Sequence, residues 1–223
     1  MLQHSIESNV EVLRGRIEQA CRRSSRDVAE VKLIAVTKNF DSHAVRTALD
    51  CGLTDFGENR VQEASSKYVE LADVRSKMTL HYIGHLQSNK VRDVLRIVDI
   101  IHSIDTVHLA ELVNEKAGRP VPAFLQVNLA GEHAKYGFSR DDLERAVGSI
   151  SALPNIAIMG LMTIAPISSD AEEVRPLFAA LRSLNSAYGF RELSMGMTDD
   201  FEVAVEEGAT MIRIGRAIFG ARS

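Results

Sequence analysis

Lys38 closes the segment Leu33-Ile34-Ala35-Val36-Thr37-Lys38. A lysine leaving an apolar, β-branched run is desolvated at its root, which favours the free amine over the ammonium. Such an amine can condense with an aldehyde to a Schiff base. The position equally suits a lysine that turns outward once the strand ends. Near the end of the chain, Gly215 and Gly220 bracket Arg216-Ala217-Ile218-Phe219 after the apolar run Met211-Ile212-Arg213-Ile214. Glycines let backbone N–H groups come close to phosphate oxygens, and Ser194-Met195-Gly196 could add a hydroxyl and further amides. The same glycines could serve only to turn the chain. Arg213 lies inside the last apolar run, where alternation puts it on one face with Met211 and puts Ile212 and Ile214 on the other. A buried arginine needs a partner. That partner is either a ligand or a structural carboxylate, with Asp199 and Glu58 as examples.

Other chemistries find less support. His81 and His85 flank Tyr82-Ile83-Gly84, and on a strand that spacing does not converge on one metal. There is no HExxH, no GxxxxGK[ST] and no GxSxG, so zinc protease, nucleotide P-loop and hydrolase-elbow readings lack their motifs. Cys21 and Cys51 fall in helical spans and read as packed or surface thiols.

These candidates need elements to hold them. The opening segment is amphipathic, with Ile6, Val10, Leu13, Ile17 and Ala20 on one face, and Ser24-Ser25 breaks it. The chain then alternates. Strands are predicted over 31–36, around Phe56, and over 80–83, 100–104, 123–129, 156–164, 192–195 and 211–214. Helices are predicted between them over 41–51, 61–71, 91–98, 107–117, 139–153, from a Ser169…Glu172 capping box to Gly189, and over 199–208. Roughly eight strand–helix units demand a parallel sheet with helical crossovers, and in one domain they fit a (β/α)₈ TIM-type barrel. At 223 residues the chain is short for one. The extra N-terminal helix is therefore expected to cover the wall that an eighth crossover would cover. A doubly wound open sheet is the competitor, but the first strand runs into Thr37-Lys38-Asn39 and not into a glycine-rich turn.

In such barrels the reactive groups sit at the C-terminal strand ends. Those positions are Lys38, Glu58-Asn59, His85, Ser103 and Asp105, Asn128, Met162-Thr163, Ser194-Met195-Gly196, and Arg213 to Gly215.

Composition sets bounds. With 26 basic and 30 acidic residues the formal charge is −4, and there is no tryptophan, so neither nucleic acid nor an anionic membrane is expected as a partner. No apolar run reaches the roughly 18–20 residues of a membrane span. The first residues lack a signal peptide's basic start and apolar centre, and two cysteines form no disulfide framework, so a cytoplasmic location is expected.

The constellation of lysine after strand one, phosphate loops after seven and eight, and arginine before the last loop resembles the pyridoxal-phosphate-binding homeostasis proteins. That small family is related to the N-terminal barrel of bacterial alanine racemase. The resemblance is carried by Leu33-Ile-Ala-Val-Thr-Lys38, Phe56-Gly-Glu-Asn59, His81-Tyr-Ile-Gly-His-Leu-Gln-Ser-Asn-Lys90 and His102-Ser-Ile-Asp105. Gly160-Leu-Met-Thr163, Leu193-Ser-Met-Gly-Met-Thr-Asp-Asp200 and Ile212-Arg-Ile-Gly-Arg-Ala-Ile-Phe-Gly220 complete it. In order, these span nearly the whole chain.

The resemblance implies pyridoxal 5′-phosphate (PLP) as cofactor, with Lys38 as the Schiff-base lysine and Arg213 facing the pyridine nitrogen. Ser194, Gly215 and Arg216 match positions that hold the phosphate, the last two through backbone N–H groups. Asn59 matches a pocket-lining residue, and Lys135 a second lysine near the site. At Arg216 and Asn39-Phe40 the chain departs from the family's commoner residues. An arginine at the pyridine nitrogen repels a second proton and makes the ring a poorer electron sink. Racemisation also needs a second acid/base on the opposite face, and no tyrosine occupies an obvious opposing position. The chain is expected to be an alanine-racemase-like barrel, residues 1–223 as one domain, lacking the racemase β-domain. It is expected to be a monomeric, non-catalytic carrier that buffers or delivers PLP, with PLP-dependent apo-enzymes as recipients and amino-acid and keto-acid balance as the consequence. A weak racemase or lyase is the alternative, and a cofactor-free Schiff-base aldolase a third.

Overall fold

The computed structural model describes residues 2–131 and 136–220, with side chains from residue 5 onward. Eight parallel strands close into a barrel in sequence order. They are β1 (Lys32–Val36), β2 (Asp55–Glu58), β3 (Thr79–Tyr82), β4 (Ile100–Ile104), β5 (Val121–Gln126), β6 (Ile156–Met162), β7 (Glu192–Ser194) and β8 (Met211–Ile214). Closure is made by β1 against β8, with Lys32 opposite Met211 and Ile34 opposite Arg213. A closed barrel rules out the doubly wound sheet. Among the described residues no helix is long and apolar enough to cross a membrane.

The period-2 pattern of each strand divides the core into an inner and an outer layer. Ile34, Ile100, Phe124, Met162 and Met211 fill the barrel interior, with Arg213 on the same side of β8 as Met211. Ile212 and Ile214 face the helices, as alternation predicts. The crossovers are α2 (Ser42–Asp50), α3 (Val61–Val69), α4 (Val91–Leu95), α5 (Val107–Lys116), α6 (Arg140–Ser151), α7 (Arg175–Ala187) and α8 (Phe201–Glu206). Side chains cap three of them: Asp41 accepts from Ala44 N, Thr106 from Leu109 N, and Ser139 from Asp142 N. The Ser169…Glu172 capping box does not form. Asp170 accepts from Glu172 N and opens a short 3₁₀ turn, after which α7 begins at Arg175 with Pro176 in its first turn, where a missing N–H costs nothing.

Among the described residues β8 is followed by the short α9 (Arg216–Phe219), and α1 (Leu2–Arg23) covers the wall beside it. Its apolar face, Ile6, Val10, Leu13, Ile17, Ala20 and Cys21, is buried against α2, α8 and α9. Polar contacts fix its register. Arg16 and Arg23 bridge to Glu202 and Glu206 on α8 at 2.5–3.0 Å, and Asn9 Nδ2 donates to Ile218 O on α9 at 2.9 Å.

Candidate functional site

The C-terminal strand ends surround a cavity of about 430 Å³ at the barrel mouth. Lys38, Asn59, Arg213, Gly215 and Arg216 all line it, so five of the seven residues singled out from the sequence converge there. Lys135 lies outside the described residues. Ser194 does not line the cavity.

Lys38 is half-buried and is carried by a tight turn, in which Phe40 N donates to Thr37 O at 3.1 Å. Asn39, directly after it, adopts φ 65°, a left-handed conformation that asparagine tolerates better than most residues. Both flanks of Lys38 are tied to α3. Lys67 Nζ donates to Thr37 O at 2.7 Å, to Glu58 Oε1 at 2.7 Å and to Glu63 Oε1 at 3.0 Å. Glu63 Oε1 in turn accepts from Asn39 N at 2.5 Å, and Thr37 Oγ1 donates to Glu58 Oε1 at 2.7 Å. Burial pushes the Glu58 carboxyl above its ordinary value, with Lys67 opposing. Sequence reading missed Lys67, because nothing local marks one charged residue of an amphipathic helix as a buried clamp.

Asn59 sits half-buried at the end of β2, and its Oδ1 is buried without a hydrogen-bond partner among the described residues. Asn59 itself lines the cavity. Behind it, a Cβ on Gly84 would stand 2.5 Å from Asn59 O and 2.8 Å from its Cα. Gly84→Ala must therefore push the loop after β3 away from Asn59. This overpacking is expected to cost about 1–3 kcal/mol, read as a lower urea midpoint.

Arg213 is 5% exposed. Its Nη1 donates to Ser194 Oγ at 2.6 Å and its Nη2 to Thr163 O at 2.8 Å. Burial pushes its pKa down to about 10, opposed by the charge of Asp200, so it stays cationic at neutral pH. Neither carboxylate suggested by the sequence pairs with it: Asp199 bonds to Arg216, and Glu58 to Lys67. Arg216 lines the cavity, and its side chain bonds to Asp199. The first amides of α9 have no intrahelical partner.

Ser194 differs most from expectation. Its hydroxyl has no exposed surface and lies between Arg213 and His102 below the cavity. In its place Thr198 lines the mouth. Gly196 makes that possible: its φ of 93° turns the chain sharply after β7, and a Cβ there would stand 2.6 Å from Ala204 Cβ. Thr198 lies within Leu193 to Asp200, but two residues past the turn at Gly196, which the sequence alone could not fix. At the opposite rim His85 Nδ1 is 3.1 Å from Asp105 Oδ2, and Tyr136 stacks on His85 with ring centroids 3.5 Å apart. One tyrosine therefore does stand beside the mouth. Among the described residues no cluster of His, Cys, Asp and Glu could hold a metal ion.

An amine, a buried guanidinium and a glycine-led turn at a barrel mouth suit a planar, phosphorylated aldehyde with a ring nitrogen. They define a barrel of the alanine racemase type, and the sequence profile of that N-terminal domain family matches residues 4–223. The alanine racemase of Corynebacterium glutamicum shares this fold, with a TM-score of 0.70 and 17% identity over 99% of this chain and 61% of its own. The pyridoxal phosphate homeostasis protein of Pseudomonas aeruginosa is 40% identical, over 98% of this chain and 96% of its own; that of Aquifex aeolicus is 39% identical, over 93% and 94%. PipY of Synechococcus elongatus, solved with PLP bound, superposes with a TM-score of 0.86 at 39% identity over 96% of this chain and all of its own. The chain belongs to the pyridoxal phosphate homeostasis protein family.

Proposed function

We propose that residues 1–223 act as one PLP-binding domain that holds the cofactor as a Schiff base on Lys38. In this reading the protein is a cytoplasmic monomer that buffers PLP or delivers it to PLP-dependent apo-enzymes, and so affects amino-acid and keto-acid balance. The observation that carries this is the convergence of Lys38, Asn59, Arg213, Gly215 and Arg216 on one cavity. When bound, PLP supplies an aldehyde carbon that captures amines and a ring that withdraws electrons. The protein's own groups do the rest. Backbone amides at Gly215 and Arg216 and the hydroxyl of Thr198 bind the phosphate, with Ser194 acting from beneath through Arg213. Arg213, which has only N–H groups to offer, would face the ring nitrogen as a donor and so disfavour its protonation. That restraint on electron withdrawal favours holding the cofactor over turning substrate over.

A second reading rests on the rim. His85, paired with Asp105 and stacked on Tyr136, is a titratable group at the mouth, and with Lys38 it would give a weak racemase two acid/base groups. Exchange of α-protons of amino acids in deuterated water by the PLP-loaded protein separates the two. Exchange far below 1 s⁻¹ is expected; rates of roughly 1 s⁻¹ or more, ordinary for enzymes, would overturn the carrier reading.

A further inference from the structure

Beneath the cavity, a line of polar side chains crosses the barrel interior. Ser194 Oγ lies 2.6 Å from Arg213 Nη1 and 2.8 Å from His102 Nδ1. His102 Nε2 lies 2.9 Å from His81 Nδ1, and His81 Nε2 lies 3.0 Å from Asp55 Oδ1. The residues come from five strands: β8, β7, β4, β3 and β2. Ser194, His102 and His81 have no exposed surface, whereas Asp55 reaches a cleft beside Lys32 at the far end of the barrel from the mouth. The order Ser–His–His–Asp is not a hydrolytic triad, because no ester or amide can reach a serine with no exposed surface.

Both ends of the line are chemically fixed. A guanidinium can only donate, and an ionised carboxylate can only accept. Burial works most strongly against the charge of Asp55, but His81, Thr54 and Lys32 together outweigh it and hold the carboxyl below its ordinary value. With both rings neutral, each proton then has one place. His81 carries its proton on Nε2 for Asp55 and accepts at Nδ1. His102 must therefore carry its proton on Nε2 and accept at Nδ1, and the Ser194 hydroxyl donates to it while accepting from Arg213. We propose that Asp55, His81 and His102 are positioning residues for the cofactor site, a one-way chain of hydrogen bonds that locks Ser194 and Arg213 in a single arrangement. Burial, with the nearby charge of Arg213, holds the His102 imidazole well below its ordinary value, in accord with a neutral ring. If His81 were an imidazolium, the chain would reverse, and the buried Ser194 proton would lose its acceptor, which is disfavoured.

Ser194 Oγ and Thr163 O hold both terminal nitrogens of Arg213, so the guanidinium cannot turn and its remaining N–H groups are aimed by the chain. The benefit to PLP rests on the reading of the previous subsection; the proton arrangement does not. Imidazole ¹⁵N NMR of the cofactor-free protein at pH 7.5 should show His81 and His102 neutral and protonated on Nε2. An Nδ1 proton on His102, or an imidazolium at either ring, overturns the chain. His102→Leu cuts it, and is expected to weaken PLP binding about tenfold and to shift the visible band of the lysine-linked cofactor. Asp55→Asn keeps an acceptor oxygen but removes the charge. It is nearly isosteric, so it serves if His102→Leu does not fold, and it should shift the band in the same sense with a smaller loss of affinity. Wild-type affinity and band in Asp55→Asn and in folded His102→Leu would overturn the positioning role. A wild-type protein that takes up no PLP would instead sink the reading of the previous subsection, with the ¹⁵N result still deciding the chain.

Discussion

Lys38→Ala is expected to abolish the borohydride-trapped PLP adduct and the visible absorbance that the wild-type protein gains on adding PLP. No other group named at the mouth is an amine: Asn59, Thr198, His85 and the amides of Gly215 and Arg216 can bind the cofactor but cannot form a reducible carbon–nitrogen bond with it. The variant should still retain PLP without the covalent link, through its phosphate and ring contacts, at an affinity at least about tenfold lower. Dialysis followed by measurement of retained phosphate checks this directly. Persistence of a full trapped adduct would move the site to another amine, with Lys135 the next candidate. A colourless wild-type protein would end the cofactor reading altogether.

The largest effect on stability is expected from Lys67→Met. Lys67 and Glu58 are 4% and 1% exposed, and Lys67 makes three hydrogen bonds that nothing else replaces. Removing one partner of a buried ion pair strands the other charge, at a cost of about 3–5 kcal/mol. For a chain of this size the melting temperature should fall by roughly 10 °C. The pH dependence identifies the stranded group. Burial already raises the Glu58 pKa, and loss of Lys67 raises it further. A carboxyl with a raised folded-state pKa binds more protons folded than unfolded, so stability lost at pH 7.5 is regained as pH falls through that value. Urea midpoints should therefore show a smaller deficit at pH 5 than at pH 7.5. Equal deficits at both would mean that Glu58 is not the group left uncompensated. Because Lys67 and Glu63 tether Thr37 and Asn39, the variant should also form the Lys38 adduct more slowly.

The barrel was legible because its signal is repetition. Each strand carries a short apolar run, each helix a 3.6-residue stripe, and the closure of β1 on β8 follows once eight such units must bury one sheet. Lys38, Asn59, Arg213, Gly215 and Arg216 were legible for a related reason: a strand's C-terminal end can be read from where its apolar run stops. Ser194 shows where that logic fails. A three-residue strand leaves too little alternation to tell a mouth-facing hydroxyl from one pointing into the barrel, and Gly196 then carries Thr198 to the mouth instead. The Asp55–His81–His102 line was not legible either, since its members are neighbours only through the curvature and register of five strands. Lys67 is buried by the loop it holds, a tertiary fact with no local signature. The Ser169…Glu172 motif lost to Asp170, whose side chain caps a tighter turn just before Pro176.

The way α1 closes the barrel has a consequence for how the chain comes off the ribosome. Asn9 and its acceptor Ile218 O are 209 residues apart, and the carboxylates that hold Arg16 and Arg23 are nearly as distant. At 5–20 residues per second, α1 emerges roughly 10–40 s before α8 and α9 exist to receive it. Throughout that interval α2 is the one of its three partner helices already made, so the part of the α1 apolar face that packs on α8 and α9 stays uncovered. Contacts of such high sequence separation make closure slow. A circular permutant beginning at Ser25, with residues 5–24 joined after residue 220, places α1 next to its partners in time. It should refold faster and aggregate less than the natural order while keeping the same mouth.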